Sequence, residues 1–506
     1  MGIVKKDALR TTLISYIGLV LGYINKAFLF ILFLTTVEIG LVNLLTTTGL
    51  LFAQLSNLGS IYVTWRFFPF FRNEAKKHYG FLLFNVLIVC FGILLCSVLF
   101  WWFKAEIGAY FHDKSPLFNR YAWWVIPVGV GNVLFMLFEN HMRGMFKNIL
   151  PVFLQDIGLR VLTTILLVAY ALDYISFEVF LTVLMLSNML PALVLMGYLI
   201  YHHELHYSLK HITIPKRFRK IILSFSLFSY LNTLATMVVV TMDAVMIGGM
   251  IGLASTGIYT TMVQVTSAML IPFRAMTRVS SPIVAKLWKE KNMKGLQEIY
   301  QKSSGAGLFI GLLSFLGLWL PVHELFSFLK PEFSAGIPVL FFLLLGRVVD
   351  MYCGLNGIIF ATSRKYKYDL LFTVFLCAGI YVLNRLLIPR YGIAGVGFAT
   401  GFIFVFYNVA RSIYIYWAYR LNPFHWGHTK PLMVFLGVLG IYYVSVYFFP
   451  FYSESTTIYK LLRIGCIEAL VLGGFVLPVL RFNLEPETAG YARSFIQTVK
   501  KKYLKL

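Results

Sequence analysis

Six cations stand where a charge is most expensive to keep: Lys26, Arg160, Arg274, Arg347, Arg385 and Arg411 all fall within or at the edges of long apolar runs. Five acids accompany them, Glu139, Asp156, Asp243, Asp350 and Glu468, several close to the ends of such runs. A charge at the centre of a bilayer costs on the order of 2.5–3.5 kcal/mol by insertion scales, so it needs a partner, a water-filled cavity or a ligand. A majority of cations suits an anionic ligand, and a guanidinium fork matches phosphate oxygens in pairs. Local partners account for part of the set. Asp156 lies one helical turn before Arg160, and Asp350 one turn after Arg347. Arg278, Arg385 and Arg411 lie where a long side chain can snorkel to headgroups. Lys26 has no acid within a helical turn. Lys26 and Arg274 are therefore the leading cavity residues, with Arg160, Arg347, Arg411 and Arg385 as further members. Asp243 is the coupling or gating residue, either as a site for H+ or Na+ or as a partner for Lys26.

The elements that position these residues must be membrane helices. Of 506 residues, 59% are hydrophobic and only 13% charged, against about 25% charged in a soluble protein. A net charge of +23 in a soluble chain would suggest nucleic acid. Here the charge is explained by its placement in loops, and no nucleic-acid partner is expected. The five cysteines form no CxxC pair and the ten histidines no zinc spacing, so no metal and no cofactor is expected. No GxxxxGK[ST] loop is present for ATP. The first apolar run lacks a small-residue cleavage site and reads as a retained helix.

Each apolar run of about 20 residues can cross the hydrocarbon core as a helix. The chain offers fourteen: Thr12–Thr35, Leu41–Trp65, Phe81–Phe103, Tyr121–Glu139, Pro151–Leu172, Glu178–Tyr201, Ile221–Met250, Ser255–Val279, Ser304–Pro321, Ala335–Phe360, Asp369–Ile388, Ile393–Tyr419, Leu432–Tyr452 and Ile458–Leu480. The hairpin of spans 7 and 8 is the centre of the pattern: from Ile221 to Phe273 its only charge is Asp243, and then Arg274 and Arg278 arrive together. Pro272, just ahead of Arg274, is the expected hinge. Alternate loops differ sharply in Lys and Arg, 29 on one side against five on the other, which places both termini in the cytoplasm. The tail from Thr488 to Leu506 sets Tyr491, Phe495, Val499 and Tyr503 at helical spacing beside lysines, as a helix lying on the anionic inner leaflet does.

The chain also repeats. Setting Gly40 in the turn between spans 1 and 2 on Gly257 between spans 7 and 8 gives an offset of 217 residues. Fourteen residues before each glycine is a charge, Lys26 or Asp243, and seventeen after each is a polar side chain, Asn57 or Arg274. A six-span unit inserted twice in the same orientation relates its halves by an axis along the membrane normal. The expected organisation is an N-terminal lobe at 1–201, a cytoplasmic linker at 202–220, a C-terminal lobe at 221–419, and 420–506 with two extra helices and the tail.

These residues carry a resemblance. The run Asp243-Ala-Val-Met-Ile-Gly-Gly, Gly257-Ile-Tyr-Thr, Ile271-Pro-Phe-Arg and Ser281-Pro282-Ile-Val-Ala resembles the multidrug/oligosaccharidyl-lipid/polysaccharide (MOP) exporter superfamily. So do Glu38-Ile-Gly40-Leu, Leu58-Gly59, Arg66-Phe-Phe-Pro69-Phe and the stretch from Leu383-Asn384 through Pro389, Gly392 and Gly395 to Thr400. Within it the chain is most similar to bacterial polysaccharide-unit flippases of the Wzx type. The resemblance implies an all-α membrane protein of 14 transmembrane helices, two pseudo-symmetric six-helix lobes in a V plus two C-terminal helices. It implies movement of a polyprenyl-diphosphate-linked oligosaccharide, an O-antigen, capsule or exopolysaccharide repeat unit, across the bacterial inner membrane. Membrane lipids and other polysaccharide-assembly proteins are the further partners it implies.

The cation balance bears on the alternatives. A cation-coupled drug exporter of the same superfamily would want carboxylates to dominate its cavity. A membrane polymerase or ligase needs a sizeable outer loop with catalytic groups, and the longest here, Lys104–Arg120, carries only Glu106, His112 and Asp113. The chain reads as a transporter and not as an enzyme.

Overall fold

The computed structural model describes residues 2–72, 78–204, 216–365, 367–448, 456–482 and 484. Every regular element among them is helical. The expected tail helix at 488–506 and most of the linker expected at 202–220 lie outside the described residues. The chain divides into two compact units, Met1–Thr261 and Met262–Leu506.

The first unit holds α1 (Arg10–Phe33), α2 (Thr36–Ser56), α3 (Ser60–Phe71), α4 (His78–Trp102), α5 (Pro116–Gly144), α6 (Ile149–Ala171), α7 (Phe177–Tyr201), α8 (Lys216–Met250) and the first turns of α9 (Leu253–Ser267). Local chemistry sets the ends. Thr35 and Glu38 form a capping box that starts α2, and Tyr170 donates to the same Glu38 carboxylate from α6 at 3.0 Å. Between α2 and α3 the chain breaks at Gly59 (φ +80), where the Asn57 side chain accepts from the Gly59 N–H at 2.6 Å. Phe67, Phe68, Phe71, Phe81 and Phe138 pack into a buried cluster.

α1 and α6 each contain a π-helical stretch, Ile24–Leu29 and Leu154–Gly158. A π turn inserts a residue and rotates the helix beyond it, a deformation that concentrates at functional positions. A polar ladder joins the two helices across these stretches. Ser15 donates to Asp156 at 2.8 Å, Asn25 donates to the Arg160 carbonyl at 2.7 Å, and Thr164 donates to the Asn25 side-chain oxygen at 2.8 Å.

The repeat seen in the sequence is realised as a contact. α2 and α9 cross at Gly40 and Gly257. A Cβ on Gly40 would collide with the Leu253 carbonyl, and a Cβ on Gly257 with the Thr36 carbonyl. Asn43 donates to Thr260 at 2.9 Å one turn further on. Gly40 and Gly257, and likewise Asn43 and Thr260, are 217 residues apart.

The second unit holds the rest of α9, then α10 (Leu270–Lys289), α11 (Met293–Trp319), α12 (Pro331–Tyr352), α13 (Asn356–Thr362), α14 (Lys367–Tyr419), α15 (Trp426–Phe448) and α16 (Thr457–Arg481). Asn292 caps α11 by accepting from the Gly295 N–H. Gly354 (φ +61) makes the turn between α12 and α13. α15 and α16 are fastened to the unit: Tyr442 donates to the Leu320 carbonyl, and Arg463 meets the fully buried Glu324 at 2.5 Å.

Twelve helices among the described residues are long and apolar enough to cross a membrane. Two places separate that number from the fourteen expected. Spans 11 and 12 form one 53-residue element, α14, whose only non-helical residue is Gly392 (φ +57, ψ −138). Span 8 divides into the fifteen-residue α9 and the cation-bearing α10, which carries Arg274, Arg278, Lys286 and Lys289.

Candidate functional site

In the first unit, Lys26 projects from the π-helical stretch of α1 with its side chain exposed, and it makes no ion pair among the described residues. Arg160 is the cation within its electrostatic reach. Arg160 itself is engaged: its guanidinium stands 3.8 Å from Asp156 and donates to the Gly18 carbonyl. Asp243 on α8 is 6% exposed and accepts a hydrogen bond from Tyr259 on α9 at 2.5 Å. A phenol is thus one partner of Asp243. Low polarity around a buried carboxylate makes such a charge-assisted bond strong.

In the second unit, three of the four sequence-selected arginines gather around one acid. Asp350 on α12 lies within electrostatic reach of Arg347, Arg411 and Arg274, and a side-chain hydrogen bond joins it to Asn408. Arg347 stands 3.8 Å from Asp350, half-buried, with its guanidinium 5.2 Å above the Phe404 ring. Arg411 is the covered member, 9% exposed in its side chain. It pairs with Asp369 at 2.7 Å and packs on the rings of Tyr407 and Phe360. Arg274 is exposed on α10 and, like Lys26, makes no ion pair among the described residues. Arg385 is exposed on α14 and joins none of these contacts.

Pro272 occupies the first turn of α10. The chain leaves α9 at Ser267 and re-enters helix at Leu270, so the missing proline N–H falls among donors that lack an intrahelical partner anyway. The break therefore precedes Arg274 by one turn.

Sequence spacing missed the partners that lie far apart along the chain. Asp369 reads as the start of a span, 42 residues from Arg411. Tyr259 stands in the Gly257-Ile-Tyr-Thr run without being assigned to Asp243, and Asn25 and Thr164 are not singled out. Of the ion pairs that the six selected cations make among the described residues, Arg160–Asp156 at i,i+4 and Arg347–Asp350 at i,i+3 leave a signal that helical periodicity exposes.

Solved structures with this arrangement of helices are found among membrane transporters. No protein-family model matches the sequence, and no curated protein matches it either. The lipid II flippase MurJ in an inward closed conformation superposes with a TM-score of 0.69 at 15% identity, over 94% of this chain and 99% of that one. An inward-facing multidrug resistance MATE family transporter of the MOP superfamily gives 0.64 at 15% identity, over 79% and 94%. A MOP superfamily transporter from Pyrococcus furiosus, described as having a binding pocket of reverse polarity, gives 0.54 at 15% identity, over 82% and 96%. The chain has the fold of these transporters.

Proposed function

We propose that this chain is a flippase for a polyprenyl-diphosphate-linked oligosaccharide, moving it from the cytoplasmic to the outer leaflet of a bacterial inner membrane by alternating access through a cationic cavity. One observation carries the reading. Lys26 on the spanning helix α1 and Arg274 on α10 are accessible cations with no carboxylate at ion-pair distance among the described residues. Such charges call for water and an anionic ligand. A diphosphate and its hydroxyl-rich sugars cannot enter hydrocarbon unpaired, whereas a polyprenyl tail can stay in lipid.

In this reading each unit offers cations to the diphosphate, Lys26 in the first and Arg274 and Arg347 in the second, and Arg385 stands by as an accessory cation. Arg160 and Arg411, tied to Asp156 and Asp369, hold the helices that present the others. Counting α14 as two spans across Gly392, and α9 with α10 as one, gives fourteen crossings in two six-helix lobes plus two. Both termini are cytoplasmic, and Pro272 is the hinge. An anion leaving a negative interior gains about 2.3 kcal/mol per charge per 100 mV, which favours outward movement of the loaded carrier.

A second reading, a cation-coupled multidrug exporter, draws on the buried Asp243 with its Tyr259 partner. Complementation separates the two. In a strain lacking its own repeat-unit flippase, the wild-type chain restores surface glycan while Lys26→Ala and Arg274→Ala do not. Normal surface glycan from both variants removes the cavity assignment, and resistance to cationic dyes without glycan rescue supports the exporter.

A further inference from the structure

The turn between α5 and α6 builds a groove that the transport reading leaves unused. It has a volume of about 410 Å³ and is walled by Met142, Phe146, Leu150, Phe153 and Tyr198, with Lys147 at its lip. Phe146 is two-thirds exposed and held at φ +62. A bulky side chain rarely adopts that backbone conformation, and the strain is retained where surrounding structure imposes it. Here it is imposed by the tight turn in which the Phe146 N–H donates to the Arg143 carbonyl and the Lys147 N–H to the Met142 carbonyl.

Cations flank this apolar slot. Arg72 sits 5.3 Å above the exposed Phe146 ring and makes no ion pair among the described residues. Lys147 lies 5.7 Å from the Tyr198 ring centroid and 3.6 Å from Glu204. That second contact is loose, and Glu204 has another partner in His78 at 3.2 Å. Lys147 can therefore turn to an incoming anion without stranding the carboxylate. Arg143, at the end of α5, is spoken for by Glu139 at 2.6 Å.

An aromatic and aliphatic slot lined by Lys147, with Arg72 over the ring of its exposed Phe146, is complementary to one kind of molecule, an acyl chain that ends in a phosphate. The Lys and Arg count puts this turn on the cytoplasmic side, where the leaflet is rich in anionic lipid. We propose that the α5–α6 turn is a binding site for an anionic glycerophospholipid, whose acyl chain lies along Phe146, Leu150 and Phe153 and whose headgroup phosphate is held by Arg72 and Lys147. The site stands apart from the transported substrate and does not depend on what that substrate is.

The test is native mass spectrometry of the purified full-length protein with added phosphatidylglycerol or phosphatidylcholine. Wild type retains phosphatidylglycerol in preference to phosphatidylcholine. A basic side chain near a membrane surface contributes enough that removing one weakens binding by roughly fivefold. Arg72→Gln/Lys147→Gln thus loses the preference, Arg72→Lys/Lys147→Arg keeps it, and Phe146→Ala weakens retention of both lipids. If the double variant is not recovered folded, Arg72→Gln and Lys147→Gln are read singly. Equal retention of the two lipids by wild type, or unchanged phosphatidylglycerol retention in the glutamine variants, overturns the proposal.

Discussion

Gly40 and Gly257 lie against each other, 217 residues apart in the chain, each at the point where a Cβ would strike the backbone carbonyl four residues before the other. The reciprocity is what a two-fold relation between repeats produces: Thr36 stands to Gly257 as Leu253 stands to Gly40. Only a residue without Cβ allows two helices this approach.

Overpacking a close contact costs typically 1–3 kcal/mol, so Gly40→Leu and Gly257→Leu are each expected to lower the thermal midpoint of the purified protein. The same crossing is expected to open during transport. With Asn43→Cys and Thr260→Cys introduced into a chain freed of its five native cysteines, oxidation should block export and a reductant should restore it. Full export from the cross-linked protein would mean that the crossing stays closed throughout the cycle.

Lys26 and Arg274 are expected to respond to charge before size. A charge-assisted hydrogen bond contributes about 1.5–3 kcal/mol, so Lys26→Ala and Arg274→Ala lose roughly ten- to a hundredfold in export. Lys26→Arg and Arg274→Lys retain part of it, and Arg274→Lys retains less because a point charge replaces a two-pronged fork. Equal loss in the alanine and charge-conserving variants would assign these positions to packing.

Arg411 and Asp369 form the most covered ion pair among the cavity candidates. Removing one partner of such a pair costs about 3 kcal/mol or more, whereas an apolar pair of similar volume can be nearly neutral. Asp369→Asn and Arg411→Met are therefore expected to destabilise singly, while Asp369→Leu/Arg411→Met recovers much of the loss in a denaturation series. A double variant as unstable as the sum of the singles would show that the two residues act separately.

Asp243 and Tyr259 are expected to be coupled. In a double-mutant cycle, Asp243→Asn and Tyr259→Phe together should cost less than the sum of each alone, in stability and in export rate. Strict additivity would remove Tyr259 from the account of Asp243.

The membrane class and most spans were legible because hydropathy is summed over 20 residues and tolerates local exceptions. The repeat was legible because Gly40 and Gly257 mark a contact that only glycine permits, and its offset survives in Asn43 and Thr260. Two things were hidden. Gly392 lets α14 run through two expected spans, since a single glycine turns a chain without interrupting its apolar composition. The partners of Asp243 and Arg411 were hidden too, because Tyr259 sits across a turn and Asp369 on the other arm of α14. Helical spacing finds Asp156 for Arg160, but it is blind to pairs that only tertiary packing creates.

A leaflet assay in proteoliposomes tests most directly whether exposed cations carry a diphosphate-linked lipid. Purified protein is reconstituted with a fluorescent polyprenyl-diphosphate oligosaccharide, and the label reaching the far leaflet is quenched from outside. Wild type is expected to move it, Lys26→Ala/Arg274→Ala is expected to leave it in place, and the same sugar on an uncharged polyprenyl carrier is expected to stay behind with either protein. Equal movement of the charged and uncharged lipids by wild type, undiminished in the double variant, would contradict the account.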